Sequence, residues 1–83
     1  MSRCEKLLEL ARRNPAGLRF TELCLLAECH GWTFEHQRGS HVKLTMPGHD
    51  PLTYQAGKNG SAKRYQVVQL LKAIQNMRSE EEE

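Results

Sequence analysis

A small α+β domain is what this sequence predicts: three antiparallel strands with helices packed on one face, in the order α-α-β-β-β-α. Three observations point to it. Apolar residues recur at helical spacing in two early stretches and one late one. Between them, from Trp32 to Gln55, the period falls to two, and the segments are separated by turns rich in glycine and proline. The chain has only 83 residues, enough for one domain but not for a core that encloses a deep pocket. A functional site is therefore expected on an open surface, which favours a polymeric substrate over an enclosed small molecule.

Each element has its own signal. Ser2 is placed to cap a first helix running to about Arg13, with Cys4, Leu7, Leu8 and Ala11 as its apolar stripe. Asn14-Pro15-Ala16-Gly17 ends it. Thr21 is a good N-cap for a second helix over about residues 22–30, with Phe20 and Leu25 spaced for a hydrophobic staple. Gly31 fits the left-handed position beyond that helix. The first strand then sets Trp32, Phe34 and His36 on one face and Thr33, Glu35 and Gln37 on the other. Arg38-Gly39 reverses the chain into a second strand, in which His41, Lys43 and Thr45 share the exposed face and Val42, Leu44 and Met46 the buried one. Pro47-Gly48-His49-Asp50-Pro51 is a turn, and Leu52-Thr53-Tyr54-Gln55 is a third, edge strand. After a loop at Lys58-Asn59-Gly60, Ser61 is a candidate cap for a last helix. Its Val67, Leu70, Leu71, Ile74 and Met77, flanked by Tyr65 and Val68, suit it to lie across the sheet. Residues 1–78 form the domain, and residues 79–83 read as a disordered acidic tail.

Charge narrows the partner. Setting aside the glutamates of residues 80–83, 12 basic side chains stand against six acidic ones. Arg38, Lys43, Lys58, Lys63 and Arg64 fall between residues 36 and 64 with three of the four histidines and one acid, Asp50, the footprint of a polyanion binder. The free N–H groups at the start of the last helix, amid Lys58, Lys63 and Arg64, suit a phosphate. No stretch is long and apolar enough to span a bilayer or direct export. With three cysteines, an odd number, this predicts reduced thiols and a cytoplasmic location. Cys24, Cys29, His30 and His36 match no paired-ligand zinc spacing, and the cysteines read as small buried hydrophobes. No metal or cofactor is expected.

The stretch with chemical content is Arg38-Gly39-Ser40-His41 and the strand it opens. Its neighbours are specific as well: a helix ending in Gly31-Trp32, a strand ending in Pro47, then Gln55 and Lys63-Arg64-Tyr65-Gln66-Val67. In this order they resemble the HicA toxin family, small bacterial ribonucleases of type II toxin–antitoxin pairs. Phe20-Thr21-Glu22-Leu23-Cys24 and Tyr65-Gln66-Val67 are similar to one HicA-like branch, and the resemblance covers roughly residues 17–77. The chain departs from the family pattern at Val42 and Leu44, where a further basic or aromatic residue is common, and at Arg64, where proline is common. The resemblance implies a double-stranded-RNA-binding-domain-like fold and a catalytic histidine at His41. It also implies metal-independent cleavage of mRNA and neutralisation by a HicB-like antitoxin that covers the site.

Metal-free RNA cleavage needs a base for the ribose 2′-hydroxyl, positive charge for the phosphorane and an acid for the leaving 5′-oxygen. An ordinary imidazole, with a pKa of about 6.5, is partly neutral near pH 7 and can take that proton. His41 is assigned as the base and Lys43 as the cation on the phosphate, with Arg38, Ser40, Lys58, Lys63 and Arg64 as RNA contacts. Ser40 fits a turn role at least as well as a hydrogen-bonding one. No residue stands out as the acid, and His36, His49 and Tyr54 stay open. The alternative is a non-catalytic RNA-binding module, to which His41 would be indifferent. A further reading is a protein-interaction domain pairing through its edge strand at residues 52–55.

Overall fold

The computed structural model describes residues 2–82, with side chains described as far as Arg78. Helix α1 spans Arg3–Arg13, capped by the Ser2 side chain, which accepts from the Glu5 N–H at 3.1 Å. A single 3₁₀ turn at Pro15–Gly17 follows. Helix α2 spans Phe20–Cys29, and strands β1 (Thr33–Arg38), β2 (His41–Thr45) and β3 (Leu52–Gln55) form one antiparallel sheet in the order β1-β2-β3. Helix α3 closes the chain over Arg64–Glu82.

One face of β2 and β3 supplies the sheet's share of the core. Val42, Leu44, Leu52 and Tyr54 are buried together with Leu8 and Ala11 of α1, Leu23 and Leu26 of α2, and Val67, Leu70 and Ile74 of α3. Each strand alternates in and out, so burying these residues leaves His41, Lys43, Thr53 and Gln55 on the opposite face. That bare outer face is the consequence of having helices on one side only.

Three local expectations need correcting. Thr21 does not cap α2: the Glu22 carboxylate reaches back to accept from the Arg19 N–H at 2.9 Å, so the helix begins one residue earlier than Thr21, at Phe20. Ser61 does not cap α3. It forms an isolated bridge with Arg19, and its hydroxyl donates to the Lys58 carbonyl at 2.8 Å, which moves the helix start to Arg64. The three cysteines are not all free thiols: packing α1 against α2 brings Cys4 and Cys29 together in a disulfide, and Cys24 alone stays unpaired. The backbone of α3 runs on through residues 79–82, within the stretch expected as an acidic tail. Glu83 and the side chains of residues 79–82 lie outside the described residues.

Burial pushes the Cys24 thiol up to about 11, with the Glu28 carboxylate acting in the same direction. Relative to a thiol at 9.0, this leaves on the order of a hundredfold less thiolate at pH 8. Iodoacetamide is expected to alkylate Cys24 of the native protein correspondingly slowly at pH 8 and at an ordinary rate once urea exposes it. Peptide mapping over a time course reads both rates.

Candidate functional site

The site begins with a two-residue turn. Arg38 pairs with His41 across the β1–β2 hairpin, so Gly39 and Ser40 are its central residues. Gly39 has φ 60° while Ser40 does not enter the left-handed region, the II′ pattern that matches the strand twist. The turn therefore lies one residue later than Arg38-Gly39. This makes Arg38 a strand residue facing His41.

A second feature decides which β1 side chains join them. Thr33 pairs with Thr45 and Phe34 with Leu44, but then His36 pairs with Lys43 and Gln37 with Val42, leaving Glu35 as the extra residue of a β-bulge. Beyond the bulge the facing of the strand reverses. His36 was expected beside Trp32 and Phe34, yet it lies exposed on the outer face across from Lys43. All six residues of β1 are exposed.

The outer face is thus a small grid. One row runs His36, Lys43, Thr53 across the three strands, and the next runs Arg38, His41, Gln55. In the square formed by β1 and β2 the two imidazoles occupy one diagonal, His36 and His41, and the two cations the other, Arg38 and Lys43. These four side chains and Thr53 line one open depression of about 390 Å³. The bulged Glu35 sits at its rim, one carboxylate oxygen 3.9 Å from His36 Nδ1 and the other 3.9 Å from Lys43 Nζ.

The last helix supports this face from one side. The Gln55 side-chain amide donates to Ser40 Oγ at 3.0 Å and its oxygen accepts from Lys63 Nζ at 3.4 Å, linking turn, strand end and helix start. The Gln55 main chain is held in turn by Gln66, which is only 2% exposed. With its oxygen toward the Gln55 N–H, the Gln66 amide accepts there at 3.1 Å, donates to the Gln55 carbonyl at 3.1 Å and accepts from the Tyr65 hydroxyl at 3.2 Å. The end of the β3 edge is therefore occupied by a side chain of the chain itself. Replacing Gln66 by Leu leaves two backbone groups unpaired and is expected to cost about 1–3 kcal/mol, read as a lower urea midpoint.

The candidate RNA contacts divide accordingly. Arg38, Lys43 and His41 share the depression, while Ser40 and Lys63 attach to it through Gln55. Lys58 and Arg64 are exposed at the loop and at the first residue of α3, and neither lines the depression or joins the Gln55 hydrogen bonds. Of the three open acid candidates, His36 alone faces His41. Tyr54 is fully buried on the core face, and its phenol is pushed well up by burial and by the nearby Cys24 thiol. His49 lies in the β2–β3 turn with its ring 6.0 Å from that of Trp32.

Sequence reasoning kept His36 only as one of three open acid candidates, and it missed the bridging roles of Gln55 and Gln66 and the disulfide. Gln66 did carry a signal, since it stands four residues before Leu70 on the apolar stripe, where a polar residue must have a buried partner. Among the described residues, no helix is long and apolar enough to cross a membrane and no three His, Cys, Asp or Glu side chains are grouped to hold a metal ion. No protein-family model, curated protein or solved structure matches the chain.

Proposed function

We propose that the chain is a metal-independent endoribonuclease, an mRNA interferase of the HicA type with a double-stranded-RNA-binding-domain-like fold. It acts in the cytoplasm as the toxin of a type II toxin–antitoxin pair, inhibiting translation until a HicB-like antitoxin covers the outer sheet face. The observation that carries this reading is the setting of His41. It stands exposed at the start of β2, opposite Arg38, two residues from Lys43 on the same face, and within the Arg-Gly-Ser-His element on which the resemblance to HicA rests.

The side chains divide the work. His41 takes the proton of the ribose 2′-hydroxyl as that oxygen attacks the adjacent phosphorus. Arg38 and Lys43 flank the phosphate and neutralise the charge that grows on its oxygens. Lys63, with Lys58 and Arg64 beyond it, extends the positive surface along the backbone of the same RNA. Gln55 holds Ser40 and Lys63 in place rather than meeting the reacting atoms. An open, shallow face of this kind accepts a chain passing across it, which fits a polymer substrate. The same exposure and positive charge make it a surface that an acidic antitoxin segment can cover.

The test is incubation of the purified protein with RNA containing single-stranded and paired regions, in EDTA, followed by analysis of fragment ends. Fragments carrying 2′,3′-cyclic phosphate and 5′-hydroxyl ends are expected. Retarded RNA with no fragments would leave a binding module without chemistry.

A further inference from the structure

The geometry points to His36 as the general acid of this reaction, the partner that donates a proton to the departing 5′-oxygen; the inference rests on the ribonuclease reading of the same face. Three features carry it. The β-bulge at Glu35 turns His36 to the outer face, where it stands diagonally across from His41. Diagonal neighbours on one sheet face lie about 7–8 Å apart, room for a phosphodiester between two rings that each form one hydrogen bond of about 3 Å. Arg38 and Lys43 fill the other diagonal, so a phosphate at the centre is flanked by two cations along one axis and two imidazoles along the other. Transfer at phosphorus places the attacking and leaving oxygens on opposite sides, and that is how the two imidazoles are disposed.

Glu35 places a negative charge 3.9 Å from the acid, where it attracts the imidazolium. Its carboxylate lies beside Nδ1 of His36, which leaves Nε2 as the ring nitrogen free to meet the substrate, and its second oxygen lies beside Lys43. The step balances. The 2′-oxygen forms a bond to phosphorus and its proton passes to His41. The bond from phosphorus to the 5′-oxygen breaks, and that oxygen takes a proton from the His36 imidazolium. The products are a 2′,3′-cyclic phosphate and a 5′-hydroxyl, and solvent exchange returns each exposed ring to its starting form.

An oligonucleotide with sulfur in place of the bridging 5′-oxygen at the mapped cleavage site tests the assignment, because a thiolate leaves without protonation. His36→Ala is expected to lower the cleavage rate of the ordinary linkage by about 10²–10⁴ and to cut the sulfur linkage within a few-fold of wild type. His41→Ala is expected to fail on both. Wild-type cleavage of RNA with His36→Ala equally fast overturns the acid assignment alone, as does an equal loss on both linkages, the pattern of a positioning residue. A wild-type protein that cuts neither linkage overturns the ribonuclease reading and the acid assignment with it.

Discussion

His41→Ala lowers the rate of RNA cleavage by about 10²–10⁴ while leaving the fold intact; this is the expected result with the largest effect on activity. The size follows from losing a positioned proton acceptor. Without it the 2′-hydroxyl would have to lose its proton to water, although Arg38 and Lys43, which line the same depression, would still hold the phosphate. The fold is spared because His41 is exposed and its neighbours Val42 and Tyr54 point the other way, into the core. Its unfolding free energy should stay within about 0.5 kcal/mol of wild type. RNA affinity should also change little, since binding draws on the cations of the face. Cleavage rates, urea denaturation and a salt titration of binding on the same preparation separate the three effects. A variant that loses binding or stability in proportion to activity would make His41 a structural residue.

Opening the Cys4–Cys29 disulfide is the second large effect, and it falls on stability. The bond ties α1 to the end of α2 across a separation of 25 residues. Closing a loop of that length removes conformational freedom from the unfolded chain worth about 3 kcal/mol. In a domain this small that is a large share of the total, and each kcal/mol moves the melting temperature by about 4–8 °C. Cys4→Ser, or dithiothreitol on the native protein, is therefore expected to lower Tm by roughly 10–25 °C. Thiol titration in denaturant should count one free thiol without reductant and three with it. In the cytoplasmic setting proposed for this chain such bonds are reduced, so on that reading the dithiol form is the one that meets RNA. The outer sheet face proposed to cut RNA lies on the other side of the sheet from α1, and the specific activity of the reduced protein at low temperature should match that of the oxidised one.

Much of the fold was legible because it rests on short-range signals. The hairpin, the alternation through Val42 and Leu44 and the stripe from Val67 to Ile74 each follow from spacing alone, and all three are present, the hairpin with its turn one residue later than Arg38-Gly39. What was hidden depends on pairing between elements. Counting forward by twos from Trp32 gives His36 to the core face. Counting back from the hairpin through Arg38 gives it to the outer face. Both counts are sound locally, and their conflict is the mark of the bulge at Glu35, which one strand read by itself does not show. The helix starts moved for a similar reason: Arg19 and Ser61 bridge each other, so neither end was set by its own segment. The pairing of Cys4 with Cys29 required knowing how α1 meets α2, and an odd cysteine count argued against any pairing. The site was thus half legible, His41 with its cations from sequence and His36 with Gln55 from the sheet.

The central claim is that this face activates the ribose 2′-hydroxyl, and one substrate tests it most directly. An oligonucleotide bearing a single 2′-deoxy nucleotide on the 5′ side of the mapped scissile linkage is compared with its all-ribose counterpart in EDTA. The account predicts that the protein binds both equally, cuts the ribose linkage to a 2′,3′-cyclic phosphate and leaves the deoxy linkage whole. Cleavage at the deoxy linkage would contradict it, because the attacking oxygen would then come from somewhere other than the hydroxyl that His41 is placed to activate.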